Sequence, residues 1–159
     1  MPEISGRLRP VGRVCIVVSR YNQVITGKLL DGARRCARDA RIPDDQVDIL
    51  WTTGAFELSG ACAAAADSGR YACLVALGAV IRGETPHFEY VSSAATQGLT
   101  AVAVQSKIPL GFGVLTVDSL TQATARAGGG AGNKGYEAAE SAIQLADALG
   151  TLRSLDAQT

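Results

Sequence analysis

His87 is the only histidine in a chain of 159 residues. It stands at the end of Arg82-Gly83-Glu84-Thr85-Pro86-His87, a loop in which Gly83 and Thr85 suit an anion. An imidazole with an ordinary pKa of about 6.5 can take up and release a proton at neutral pH. Gly83 permits close approach of the backbone, Thr85 offers a hydroxyl, and successive N–H groups of such a loop can converge on one phosphate. The chemistry suggested is proton transfer beside a phosphomonoester. A lone histidine more often reads as a solvated loop residue or a helix-start contact. Two positions beyond a phosphate hydroxyl, catalysis is the better reading.

The segment Gly78 to Thr85 comes within one residue of the nucleoside-triphosphate loop pattern GxxxxGK[ST]. The lysine position is Glu84, whose carboxylate would repel the phosphates that a lysine neutralises. Ala79 to Ile81 also read as strand interior rather than as a flexible cradle. A nucleoside triphosphatase is not expected, and a phosphomonoester site survives.

The elements that must position this loop alternate along the chain. Arg13–Ser19 is a valine-rich apolar run, as in a strand covered on both faces. From Gln23 to Ala40 a helical pattern puts Ile25, Leu29, Ala33, Cys36 and Ala40 on one stripe. The unit recurs with a strand at Val47–Trp51 and an alanine-rich helix at Glu57–Ser68 ended by Gly69. A strand at Ala72–Ile81 and a helix near Tyr90–Ser106 follow, then a strand at Leu110–Val117. Asp118 is a suitable N-cap for a short helix to Ala127, and a glycine-rich break at Gly128–Gly132 precedes a last helix over Lys134–Leu149. Residues 1–11 read as an N-terminal arm and 150–159 as a frayed tail of a single domain spanning 1–159. Such alternation implies right-handed crossovers and a parallel sheet with helices on both faces. Ligands of these folds gather beyond the C-terminal ends of the strands. Four segments lie there: Arg20 to Asn22, Thr53 to Glu57, Arg82 to His87, and Thr116 to Asp118.

Bulk properties narrow the partners. Fifteen basic residues balance fifteen acidic ones, without a local Lys/Arg block, so nucleic acid and anionic membranes are not expected partners. No apolar run reaches the roughly 20 residues needed to span a bilayer, and the N-terminus lacks a signal-peptide pattern. A cytoplasmic protein is expected. Cys15, Cys36, Cys62 and Cys73 are widely spaced among apolar neighbours. They read as reduced, buried small hydrophobes rather than disulfides or metal ligands.

Over residues 12 to 149 the sequence resembles the lumazine synthase family. The most specific match is the run from Ala76 to Val91, ALGAVIRGETPHFEYV. Arg20-Tyr21-Asn22, Gly54-Ala55-Phe56-Glu57, Phe112 to Thr116, Arg126-Ala127-Gly128 and Asn133-Lys134-Gly135 support it in the same order. The fold implied is a three-layer α/β/α sandwich around a four-stranded parallel sheet in the flavodoxin-like order 2-1-3-4. The activity implied is condensation of 5-amino-6-ribitylaminouracil with 3,4-dihydroxy-2-butanone 4-phosphate. The substrate amine forms a Schiff base, phosphate is eliminated, and the ring closes with loss of water. Neither metal nor redox cofactor is implied.

The resemblance also implies roles at matching positions. Gly83, Glu84 and Thr85, with Arg126, would hold the phosphate; otherwise Arg126 would read as a cation at a helix C-terminus. Tyr21 would stack on the pyrimidinedione, within the Arg20-Tyr21-Asn22 motif that also carries Asn22 to the substrate. Ala55 and Phe56 would supply backbone contacts, and Glu57 would accept from ribityl hydroxyls, a role compatible with that of a first-turn carboxylate. Ala79, Val80 and Ile81 would present backbone groups to the pyrimidine edge, Phe112 would come from an adjacent subunit, and Lys134 would steady anionic charge. His87 would relay protons, a contribution of about 10² to 10⁴ in rate.

Two departures from the family pattern stand out. Thr52-Thr53 occupies the place of a common Val-Pro, and Leu58-Ser59 that of a hydrophobe-Pro pair. Loss of the prolines gives the turn more freedom in the unfolded chain. Pentamers with shared sites are implied. The short connection Gly128–Asn133 resembles the kind that assembles twelve pentamers into an icosahedral shell, which can enclose riboflavin synthase as a partner. One rival is a noncatalytic, shell-forming homologue that binds lumazine or flavin; it would lose His87, Arg126 or the phosphate loop, and all are present. Another, a flavodoxin-like electron carrier, would carry its phosphate loop after the first strand rather than the third.

Overall fold

The valine-rich run forms strand β1 (Val14–Ser19), every residue of which is buried, as a strand packed on both faces must be. Helix α1 (Gln23–Asp39), β2 (Val47–Thr52), α2 (Leu58–Asp67), β3 (Cys73–Ile81), α3 (His87–Ser106) and β4 (Leu110–Val117) follow. The chain ends with α4 (Leu120–Arg126), the short strands β5 (Ala127–Gly129) and β6 (Gly132–Asn133), and α5 (Lys134–Asp156). The computed structural model describes residues 1–158. β1 pairs in parallel with β2 and β3, and β3 with β4, which gives the order β2-β1-β3-β4.

Side chains alternate across this sheet into two cores. Val14, Ile16, Val18, Val75 and Leu77 pack with Leu29, Ala33 and Cys36 of α1 and with Ala139 and Ile143 of α5. Cys15, Val17, Leu74 and Ala76 pack with Leu58 and Cys62 of α2 and Leu99 of α3. The result is the expected three-layer α/β/α sandwich with a parallel sheet in the order 2-1-3-4. The whole α1 stripe, Ile25, Leu29, Ala33, Cys36 and Ala40, is buried. At the start of the chain, Leu8 and Val11 pack on the first core. The Arg7 backbone N–H donates to Asp147 at 2.9 Å, and Arg9 pairs with the same carboxylate.

Several boundaries differ from the sequence reading. The cap of α4 is Ser119, whose side chain accepts from the Gln122 N–H, and not Asp118. The Asp118 carboxylate is engaged elsewhere, accepting from Arg82 Nε at 2.8 Å. The glycine-rich break is an antiparallel pair, β5 with β6, in which Gly128 (φ 105°) and Gly132 (φ 80°) take left-handed conformations. α3 begins at His87 rather than near Tyr90, and α5 runs on to Asp156 instead of fraying after Leu149. Thr159, the end of the expected tail, lies outside the described residues.

All four cysteines are free and buried. Burial pushes the Cys15 thiol up to about 11 and those of Cys36, Cys62 and Cys73 up to about 12. The thiolate is the reactive form. Iodoacetamide near neutral pH should therefore leave the native protein unmodified and alkylate all four thiols in guanidinium, as read by intact mass. Rapid modification of the native protein would contradict this placement.

Candidate active site

Three loops meet beyond the C-terminal ends of β1, β2 and β3. The first two are laced together through the backbone: Arg20 N–H donates to the Thr52 carbonyl at 2.8 Å and Tyr21 N–H to that of Thr53 at 2.9 Å. Asn22 then turns the chain into α1 with φ 62°, a left-handed conformation that asparagine tolerates better than most residues. Its side-chain Nδ2 donates to the Ala79 carbonyl at 3.1 Å, tying the first loop to the end of β3. After β2, Ala55–Glu57 forms a single tight turn before α2. This turn leaves Phe56 64% exposed and Glu57 exposed, while Ala55 is buried.

Between these loops and the start of α3 lies a cleft of about 550 Å³. Tyr21, 72% exposed, forms one wall, and Gly54, Ala55, Phe56 and Glu57 form another. Ala79, Val80 and Ile81 form the floor, and Gly83, Thr85 and His87 close the third side. A Cβ on Gly83 would meet nothing within 4 Å, so that position is open to a ligand. His87 is the first residue of α3 and is exposed, and among the described residues its ring has no hydrogen-bond partner. Phe88 and Val91 also line the cleft. The sequence reading gave them no role, although helical spacing from His87 would have put Val91 on the same face.

The loop that carries His87 is braced by Arg82. This guanidinium sits over the Phe88 ring at 4.5 Å and pairs with Asp118 at 2.8 Å and Glu89 at 3.7 Å. The hydrogen bond that it donates to Asp118 is the main cause of its raised pKa. With two carboxylates as neighbours, Arg82 is already neutralised. Among the described residues no lysine or arginine lines the cleft, and Glu57 is the one carboxylate there.

Other residues implicated by the sequence lie elsewhere. Glu84 is exposed and outside the cleft lining, and Asn22 acts on Ala79 from behind it. Phe112, Arg126 and Lys134 line a separate hollow of about 220 Å³ against the free edge strand β4. Phe112 there is 48% exposed. Arg126 Nη1 donates to the Gln122 carbonyl, and Lys134 pairs with Glu137 at 3.3 Å. A single chain thus holds two separate hollows: a cleft lined by an exposed imidazole, and a smaller one lined by two cationic side chains and an aromatic ring. Among the described residues no group of three His, Cys, Asp or Glu side chains could hold a metal ion, and no helix is long and apolar enough to cross a membrane.

The cleft, the loop that closes it and the edge hollow all fall within residues 12–150, the span matched by the family model described as 6,7-dimethyl-8-ribityllumazine synthase. That span is most of the chain, and the chain belongs to the 6,7-dimethyl-8-ribityllumazine synthase family.

Proposed function

We propose that the cleft holds 5-amino-6-ribitylaminouracil against Tyr21 and the butanone phosphate against Gly83 and Thr85, and that Phe112, Arg126 and Lys134 of a second copy complete it. The reaction itself, formation of 6,7-dimethyl-8-ribityllumazine in riboflavin biosynthesis, is that of the family. The observation that carries the reading is the charge of the cleft. A phosphate dianion is held best with a cation beside it, yet among the described residues no lysine or arginine lines the cleft and nearby Arg82 is occupied. The cations that suit the phosphate, Arg126 and Lys134, share the hollow with Phe112.

On this reading the substrate amine attacks the ketone, and the carbinolamine loses water to give the imine. Phosphate then leaves as the adjacent carbon loses a proton. The resulting enol tautomerises to a ketone, which the ribitylamino nitrogen attacks with loss of a second water. Each step moves a proton, and His87, exposed and lining the cleft, carries it on this reading. Tyr21 offers a π face to the pyrimidinedione, and the backbone of Ala79 to Ile81 lies where its polar edge would rest. Glu57 accepts from the ribityl chain. Glu84 contributes through its backbone, since a carboxylate beside phosphate would repel it.

The assembly that unites the two partial sites is a pentamer, with twelve pentamers closing into a shell able to enclose riboflavin synthase in the cytoplasm. Exposed Tyr90, Val104, Leu120 and Leu145 support burial of further apolar surface between copies.

Mixing both substrates with the purified protein should raise lumazine fluorescence and phosphate together. Turnover of His87→Ala at saturating substrates should fall by about 10²-fold, the low end for general acid–base catalysis, because water can partly replace a solvated imidazole. Added imidazole should restore part of it. Unchanged turnover would remove His87 from the mechanism.

A further inference from the structure

Thr53 touches both groups assigned to the aminouracil. Its hydroxyl donates to Glu57 Oε1 at 2.7 Å. Its backbone carbonyl accepts from the Tyr21 N–H at 2.9 Å. The preceding Thr52 closes the turn with its own hydroxyl, which donates to the Gly54 carbonyl at 3.1 Å. Two side-chain hydrogen bonds thus hold the turn.

From this geometry we infer that Thr53 is a positioning residue, which presets the Glu57 carboxylate for the ribityl chain. The inference rests on the reading of Glu57 as the acceptor of ribityl hydroxyls. A carboxylate has two oxygens, and a donor fixed on Oε1 leaves Oε2 to accept from the ligand. A free glutamate must give up rotamer freedom when it binds, whereas one already held by Thr53 gives up less. Both side chains are exposed, and a surface hydrogen bond contributes little to folding. The contact is thus suited to orientation rather than stability. Removing it should weaken the hold on the aminouracil and leave the phosphate end untouched.

The test is steady-state kinetics with each substrate varied in turn, on Thr53→Val, Thr53→Ser, Glu57→Gln and the double variant Thr53→Val with Glu57→Gln. Valine keeps the shape and β-branching of threonine, so the fold is retained. Thr53→Val should raise KM for the ribitylaminouracil about fivefold, the scale of one ordinary hydrogen bond, with kcat and KM for the butanone phosphate unchanged. Thr53→Ser should behave as wild type, and the double variant should add nothing to Glu57→Gln. If Glu57→Gln raises that KM while Thr53→Val does not, the positioning role is wrong and the reading of Glu57 stands. If Glu57→Gln changes nothing, both are wrong. Equal rises in both KM values, or a fall confined to kcat, would show a general disturbance of the loop and also overturn the inference.

Discussion

Arg126→Ala chains should bind the butanone phosphate about a hundredfold more weakly, the loss expected when a guanidinium fork leaves a phosphate. Activity should return in part when they are co-assembled with His87→Ala chains. The reasoning is geometric. Arg126 lines the hollow at the edge of β4, and His87 lines the cleft beyond β1 and β3. If each cleft draws its arginine from a neighbour, a His87→Ala chain still lends Arg126 to an Arg126→Ala chain that keeps its histidine. Random mixing in a closed ring then gives about a quarter of the sites both groups. If Arg126 served its own cleft, no mixed site would hold both. Co-assembly would then restore nothing. The measurement is specific activity of refolded equimolar mixtures against each variant alone, with light scattering to follow the assembly.

The second large effect concerns stability. A methyl group on Gly135, the second residue of α5, would overlap the Leu29 backbone carbonyl of α1. A carbonyl held within a helix cannot swing aside as a side-chain tip can, so α1 and α5 must separate or the turn before α5 must distort. Gly135→Ala should cost about 3 kcal/mol, the upper range for overpacking. For a domain of this size that lowers Tm by on the order of 10 °C. Gly150→Ala in the same helix is the control. Its new Cβ meets nothing within 4 Å, and replacing a helical glycine should stabilise by about 0.5 to 1 kcal/mol. Equal melting temperatures for the two variants would mean that the α1–α5 contact is looser than described. Refolding yield separates a destabilised protein from one that fails to fold.

The fold was legible because its signals were periodic. β1 and β3 are apolar runs too short for helices, and the α1 stripe at helical spacing is buried throughout. What escaped was fixed by contacts distant in sequence. Asp118 looked like a cap because a carboxylate before a helix usually is one, but Arg82, 36 positions away, claims it. The glycine run looked like a break because its pairing depends on left-handed glycines that no side-chain pattern records.

The site divides in the same way. Ten of the residues expected to form it, from Tyr21 through Glu57 and Ala79 to His87, line one cleft, because the strand ends that carry them are neighbours in the sheet. Phe112, Arg126 and Lys134 belong to the edge hollow, and no one-chain argument could have said which cleft they serve. Thr53 was visible only as a missing proline. Its bond to Glu57 required the turn to be built.

The floor of the cleft is made where β3 ends, and the side chains there have other employment. Ala79 points into the first core and Val80 into the second, both buried, while their backbone lies against the open space between the loops. A peptide group is the same whichever residue carries it. Drift at these positions changes packing before it changes what the floor presents to a ligand, and a substitution large enough to move the backbone disturbs a core as well. The walls, Tyr21, Phe56 and Glu57, are exposed and free of that double duty. In lineages descending from this chain, new ligand preferences would arise at the walls, while the floor would be inherited with the fold.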